Sequence, residues 1–325
     1  MILLALGATA LVVVSFRGVD VARVAALLVR AEPAWLLAAL LANGTIPLLW
    51  AAQWSLFLPR AALRGSAMGF RAMFGVTAVM AMMVNSVPML VGQATGLHLL
   101  ATRARVGHAT ALSVIALDQL AEGMAKLSVL CALAAVTPLP PALRSGLAVL
   151  ATVVALLLVV VMAAAWSHGR VRLPASERPV LARAAGFVTD WVAGLESARQ
   201  PAVLAGGMAI GLTMKGAEMG GILAVQAALG VELPLWSALA VLAAVSLATI
   251  ISVSPGNVGV YEGSAYLAYT ALGVSPETAL GLAVLQHVAY LIPMAGTGWV
   301  VVLLAQKRAQ AAAIAPADPP LRARS

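Results

Sequence analysis

Eight polar side chains stand where an apolar chain has little reason to place them. Asp118, Glu122 and Lys126 recur at i, i+4 and i+8 inside the apolar run 110–136, so they line one helical face. Lys215 and Glu218 lie centrally in the run 201–228 at i, i+3 spacing. Glu262 sits in the run 257–272, and Gln286 with His287 in the run 277–305. Each charge at the middle of a bilayer costs roughly 2.5–3.5 kcal/mol on insertion scales, so such groups are expected inside the protein, paired, and near a transport path. The spacings Glu122/Lys126 and Lys215/Glu218 suit ion pairs within one helix. Glu262 has no basic neighbour in its own segment, so its partner must come from elsewhere: Lys126, Lys215 or a substrate cation. His287 reads as a hydrogen-bonded packing residue that can also face the site.

Other chemistry finds no support in the residues. There is no phosphate loop, no His-x-x-x-His or Glu-x-x-His metal spacing and no nucleophile elbow. Cys131 is the only cysteine and lies in an apolar run, which excludes an intrachain disulfide and a cysteine metal site. The expectation is therefore a non-enzyme without metal or cofactor.

The elements that must position these groups are membrane helices. The chain is 62% hydrophobic and 10% charged, with a mean hydropathy of +0.99, too apolar for a soluble domain of 325 residues. Apolar runs fall at about 1–16, 33–57, 68–87, 89–102, 110–136, 142–166, 201–228, 235–253, 257–272 and 277–305. They are too long and continuous for a β-barrel. The expected fold is all-α and polytopic, with about eight spanning helices and two short broken or re-entrant ones, 89–102 and 257–272. Residues 1–308 form a single transmembrane domain. The run 1–16 reads as a spanning or anchoring helix rather than a cleaved signal, and 18–31 as an interfacial helix. Within the polar loop 167–200, Val180, Ala184, Phe187, Val188, Trp191 and Leu195 mark one face of a second surface helix. Trp35, Trp54, Trp166, Trp236 and Trp299 suit an aromatic belt, and 309–325 a disordered cytoplasmic tail.

The formal net charge of +8 is explained by loops beside the membrane rather than by nucleic acid. With both termini inside and all ten segments alternating, fourteen basic residues fall inside and four arginines outside. That orientation predicts a bacterial cytoplasmic membrane protein with both termini cytoplasmic.

Two stretches repeat. Residues 88–101 are PMLVGQATGLHLLA and 255–268 are PGNVGVYEGSAYLA. Pro88, Val91, Gly92 and Gly96 match Pro255, Val258, Gly259 and Gly263, followed by Leu100-Ala101 and Leu267-Ala268. Each stretch follows one long segment and precedes another, in opposite orientations. The units, about 68–136 and 235–305, thus read as inverted repeats whose broken helices meet at a site. Asn85 and Asn257, beside the two prolines, are expected to cap the short helices, with contact to a head group as the alternative.

The stretch 254–286, with Pro255, Gly259, Glu262 and Gly273-Val274, resembles the membrane region of the lysylphosphatidylglycerol synthase family. The earlier stretch from Asn85 to Glu122 resembles that family's first half, with Gly92-Gln93 in place of its Gly-Glu and Asp118-Gln119-Leu120-Ala121-Glu122 in place of its Glu-Arg-x-x-Asp. The resemblance implies a flippase-like membrane module, here standing alone without the soluble aminoacyl-transferase domain. The expected function is a transporter moving a lipid or lipid-linked intermediate through a charged midplane cavity. Its site would draw on Pro88, Gly92, Gln93, Asp118, Glu122, Lys126, Lys215, Glu218, Pro255, Asn257, Gly259, Glu262 and His287. Its partners would be membrane lipids, and a lipid-modifying enzyme of the same pathway is a further candidate. Proton-coupled carriage of a small solute, a non-transporting scaffold for such an enzyme and an integral-membrane transferase are the rival readings.

Overall fold

The computed structural model describes residues 19–59, 69–87, 89–167, 178–250 and 254–314. The segment 1–16, Pro88 and the chain after residue 314 lie outside these residues. Among the described residues the elements are helices, with no strand. Five stretches are long and apolar enough to cross a bilayer: Pro33–Phe57, His108–Val136, Pro141–Ser167, Pro201–Ala228 and Pro276–Arg308. Two shorter apolar helices, Phe70–Ser86 and Leu235–Ala248, accompany them. The chain is a multi-pass, all-helical membrane protein.

The described residues open with the surface helix α1 (Val21–Arg30), capped by Asp20, whose Oδ1 accepts the amides of Ala22 and Arg23 at 2.9 and 3.2 Å. The expected span 33–57 is two helices, α2 (Pro33–Gly44) and α3 (Ile46–Phe57), joined at Thr45. Pro47 has no amide to offer the carbonyl four residues back, so the ladder breaks there. Next come α4 (Phe70–Ser86), α5 (Met89–Arg103), α6 (His108–Val136) and α7 (Pro141–Ser167). Four valines of α7 (Val149, Val153, Val159 and Val160) are exposed on a lipid-facing side, while Val154 and Val161 are buried against the protein. The loop helix α8 (Pro179–Gly194) leaves Val180, Leu181 and Phe187 exposed, while Leu195, just beyond it, is buried. It docks on α6 through Ser113, whose hydroxyl donates to the Trp191 carbonyl at 2.7 Å. The second half follows with α9 (Pro201–Ala228), α10 (Leu235–Ala248), α11 (Val260–Ala271) and α12 (Pro276–Ile314).

Helices α4/α5 and α10/α11 form two hairpins with short arms, and the long helix α12 packs against α4, α11 and α2. The connecting turns meet. A side chain added at Gly256 would lie 2.8 Å from the Asn85 carbonyl oxygen at the end of α4.

Trp54 is fully buried in the main core rather than in a belt, whereas Trp35, Trp166 and Trp299 are exposed. Helix α12 continues past Arg308 to Ile314, because the Ala-rich stretch after it has high helix propensity. Helix α11 begins at Val260, since Gly256, Asn257 and Gly259 all have positive φ (61°, 55° and 88°) and cannot lie in a right-handed helix.

Candidate functional site

The charged face of α6 packs on α9, and the two helices assemble a four-member ion chain. Lys126 Nζ lies 3.2 Å from Glu122 Oε1, Lys215 Nζ 3.0 Å from the same oxygen, and Lys215 Nζ 2.7 Å from Glu218 Oε1. Both pairs read from helix spacing form. The cross-helix link between Glu122 and Lys215 was not legible from spacing within one helix. Lys215 is only 7% exposed, so its ammonium, itself out of water, holds two partly exposed carboxylates. Its close pairing is what makes burial tolerable, because an unpaired ammonium in this position carries the full desolvation penalty.

Asp118, one turn before Glu122, has no cation at its carboxylate among the described residues. Its Oδ1 instead accepts Trp50 Nε1–H at 3.0 Å and Gln53 Nε2–H at 2.9 Å, both from α3. Donating through its amide nitrogen fixes the orientation of Gln53, and Gln53 Oε1 is left buried without a hydrogen-bond partner among the described residues. Such an orphan acceptor inside a protein calls for a donor that is water or a ligand. Neither Trp50 nor Gln53 was picked out from the sequence. A glutamine in an otherwise apolar span is the signal that could have found it.

These groups line one cavity of about 230 Å³. Its wall draws on Trp50 and Gln53 (α3), Gln93 (α5), Asp118, Glu122 and Lys126 (α6), Lys215 and Glu218 (α9), Ser246 (α10), Asn257, Tyr261 (α11) and Gln286 and Tyr290 (α12). Three acidic groups face two lysines, so its fully ionised wall carries one excess negative charge. Asn257 presents Oδ1, buried and unpartnered among the described residues, as a second orphan acceptor.

The wall is braced by a relay of uncharged groups. Gln226 Nε2–H donates to the Tyr269 hydroxyl at 3.3 Å, that hydroxyl to Gln286 Oε1 at 3.1 Å, and Gln286 Nε2–H to the Tyr261 hydroxyl at 2.8 Å. It ties α9, α11 and α12 together around the second hairpin.

Glu262 is placed differently from the other acids. One oxygen, Oε2, accepts the Gly259 amide at 2.7 Å and so caps its own helix, and Oε1 lies 2.7 Å from His287 Nδ1. The expected partners Lys126 and Lys215 do not reach it; His287 does, because α12 packs directly on α11. Glu262 and His287 lie behind the cavity wall, whereas Tyr261, stacked on His287 at 4.2 Å, forms part of it. The capping role expected of Asn257 falls to Gly259 with Glu262, and Asn85 turns its amide back to the Ala81 carbonyl at 2.8 Å.

In the first repeat, Gly92 packs against the backbone of Val84 and Gly96 against the Met80 side chain. They seal the α4/α5 hairpin, and of this stretch Gln93 reaches the cavity. Pro255 opens the turn that carries Asn257, while Pro88 is outside the described residues. Among the described residues no group of three or more His, Cys, Asp or Glu could hold a metal ion.

Comparison with known proteins agrees with this architecture. The sequence matches the family described as lysylphosphatidylglycerol synthase TM region over residues 1–298, and the chain belongs to that family. No match is found among curated proteins or among solved structures.

Proposed function

We propose that this member of the lysylphosphatidylglycerol synthase transmembrane family moves a lipid, or a lipid-linked intermediate, across a bacterial cytoplasmic membrane with both termini on the cytoplasmic side. The observation that carries the reading is the cavity: five ionisable side chains from α6 and α9, with orphan acceptors Gln53 Oε1 and Asn257 Oδ1, inside a helical membrane protein. Drug-sized ligand pockets run from about 300 to 1,000 Å³, so about 230 Å³ suits a head group and not a whole lipid. The acyl tails then stay in the bilayer, and only the head group exchanges water for protein. The excess negative charge and the two unsatisfied acceptors favour a head group rich in hydrogen-bond donors. Asp118 would receive it, and Lys126 and Lys215 would balance the phosphate. In this reading the hairpins are inverted repeats entering from opposite faces, and no covalent bond is made or broken.

The test is reconstitution of the purified chain in liposomes, following transbilayer movement of labelled lipids with cationic, zwitterionic and anionic head groups. Wild type is expected to move one class above the protein-free background, and Asp118→Asn to lose that preference. A folded protein that moves none of them rules out an autonomous lipid transporter.

A further inference from the structure

The Glu262–His287 pair, with His287 buried and Glu262 half-buried, lies outside the cavity and has no part in holding a head group, yet its geometry is demanding. His287 is 1% exposed and both its ring nitrogens face oxygen: Nδ1 meets Glu262 Oε1 at 2.7 Å and Nε2 meets the Gly256 carbonyl at 2.9 Å. A carbonyl can only accept, so Nε2 carries a hydrogen. The short contact at Nδ1 then needs a second proton, held on either the ring or the carboxylate. Neither partner can turn away. Glu262 Oε2 is fixed by the Gly259 amide, and the Tyr261 ring lies parallel over the imidazole, 7° from its plane.

We propose that the Glu262–His287 pair is a proton-binding site that couples proton movement to opening of the second hairpin; this rests on the transport reading above. Without the shared proton, a carboxylate lone pair would face an imidazole lone pair at 2.7 Å with little water between them, which is unfavourable. A carboxylic acid and an imidazole in general, apart in water near neutral pH, are an anion and a largely neutral ring. Closing the pair therefore takes up one proton, and parting it returns one. In a transport cycle that proton comes from water at one face and goes to water at the other, and only the bonds to that proton change.

The site is placed to gate. His287 Nε2 holds the carbonyl of Gly256, the residue at which the 255–257 turn abuts Asn85 on the first hairpin. Loss of the proton loosens the strut that holds the two turns together. Other charges are poor substitutes for Glu262. From α9, Lys215 and Glu218 face the cavity, where Tyr261 and Tyr290 form the wall. Of the helices packed on α12, α4 has only Arg71 in its first turn, α2 has no charged residue and α1 has Arg23 and Arg30. Helix α10, packed on α11, has no charged residue. On α12 itself the remaining charges, Glu277, Lys307 and Arg308, lie towards its ends.

Glu262→Gln is the deciding variant. Its amide oxygen can still accept the Gly259 amide, and its nitrogen can donate to Nδ1 of a neutral His287, so the closed pair is satisfied without the extra proton. In liposomes holding acyl-labelled phosphatidylglycerol, phosphatidylethanolamine or lysylphosphatidylglycerol, wild type is expected to change its rate of lipid movement several-fold under an imposed pH gradient. Glu262→Gln is expected to ignore the gradient. Wild-type movement that is the same with the gradient intact and collapsed overturns the proton site and leaves the transport reading standing.

If no lipid moves, the transport reading fails and a second measurement still decides the proton site. In a Cys131→Ser, Ser246→Cys chain, cavity labelling by a water-soluble thiol reagent is compared at about pH 6 and about pH 8.5, with and without Glu262→Gln. The proposal expects a several-fold larger rise with pH when Glu262 is present. Equal rises in both chains overturn it.

Discussion

In the first hairpin the repeat glycines are filled space; in the second they are freedom. A Cβ at Gly92 would fall 2.5 Å from the Val84 amide nitrogen, so α4 and α5 approach as closely as backbone allows. At the matching position in the second hairpin, Gly259 takes φ 88° and starts α11, and its amide binds Glu262. Gly96 touches Met80, whereas the matching Gly263 has no atom within 4 Å of a modest added methyl. Where the second hairpin carries Glu262, the first carries Thr95, which bonds only its own helix at the Val91 carbonyl. Nearly the same sequence frame thus gives one hairpin clamped by packing and one held by a polar latch. Packing changes little with proton activity, but a latch of titratable groups can be released.

The difference can be broken most severely at Glu262. Glu262→Ala removes both the cap and the partner of a buried histidine, so a loss of about 3–5 kcal/mol is expected, seen as a large fall in the melting temperature of the detergent-solubilised chain. Gly92→Ala comes next. It pushes α5 off the α4 backbone and is expected to cost about 1–3 kcal/mol on the same measurement. Gly263→Ala should have the opposite sign and stabilise by about 0.5–1 kcal/mol, because the helix gains propensity where there is room. The smallest effect is expected for Thr95→Ala, within about 0.5 kcal/mol, since its hydroxyl only doubles a bond inside its own helix. If Thr95→Ala were as damaging as Glu262→Ala, the two hairpins would not differ as described.

Much of the architecture was legible in the sequence because lipid leaves few options. Long apolar runs must be helices, and the pairs Glu122/Lys126 and Lys215/Glu218 follow from helical spacing alone. What spacing cannot give is the meeting of helices distant in sequence. Trp50 and Gln53 reach Asp118 across 68 and 65 residues, and Glu262 reaches His287 across 25. Those partners are chosen by which faces pack together. The repeat was readable as matching letters, but not as two different uses of glycine, because a close approach and a positive φ both call for a missing side chain. Trp54 misled for a related reason: nearness to a segment end says nothing about whether a ring points to the interface or into the core.

Helix α12 touches both hairpins at once. Through His287 it holds Gly256 and Glu262 of the second, and at Gly298 its backbone lies against the Ala78 carbonyl and the Met82 side chain of the first. Along its 39 residues it is about 58 Å long, well beyond the roughly 30 Å of a hydrocarbon core, so it acts as one rod with a weak point at Pro293. A tilt that relieves one hairpin therefore loads the other. On the transport reading proposed above, two doors hung on one post would not both stand ajar, and that mechanical exclusion would keep the bilayer sealed while a head group passes.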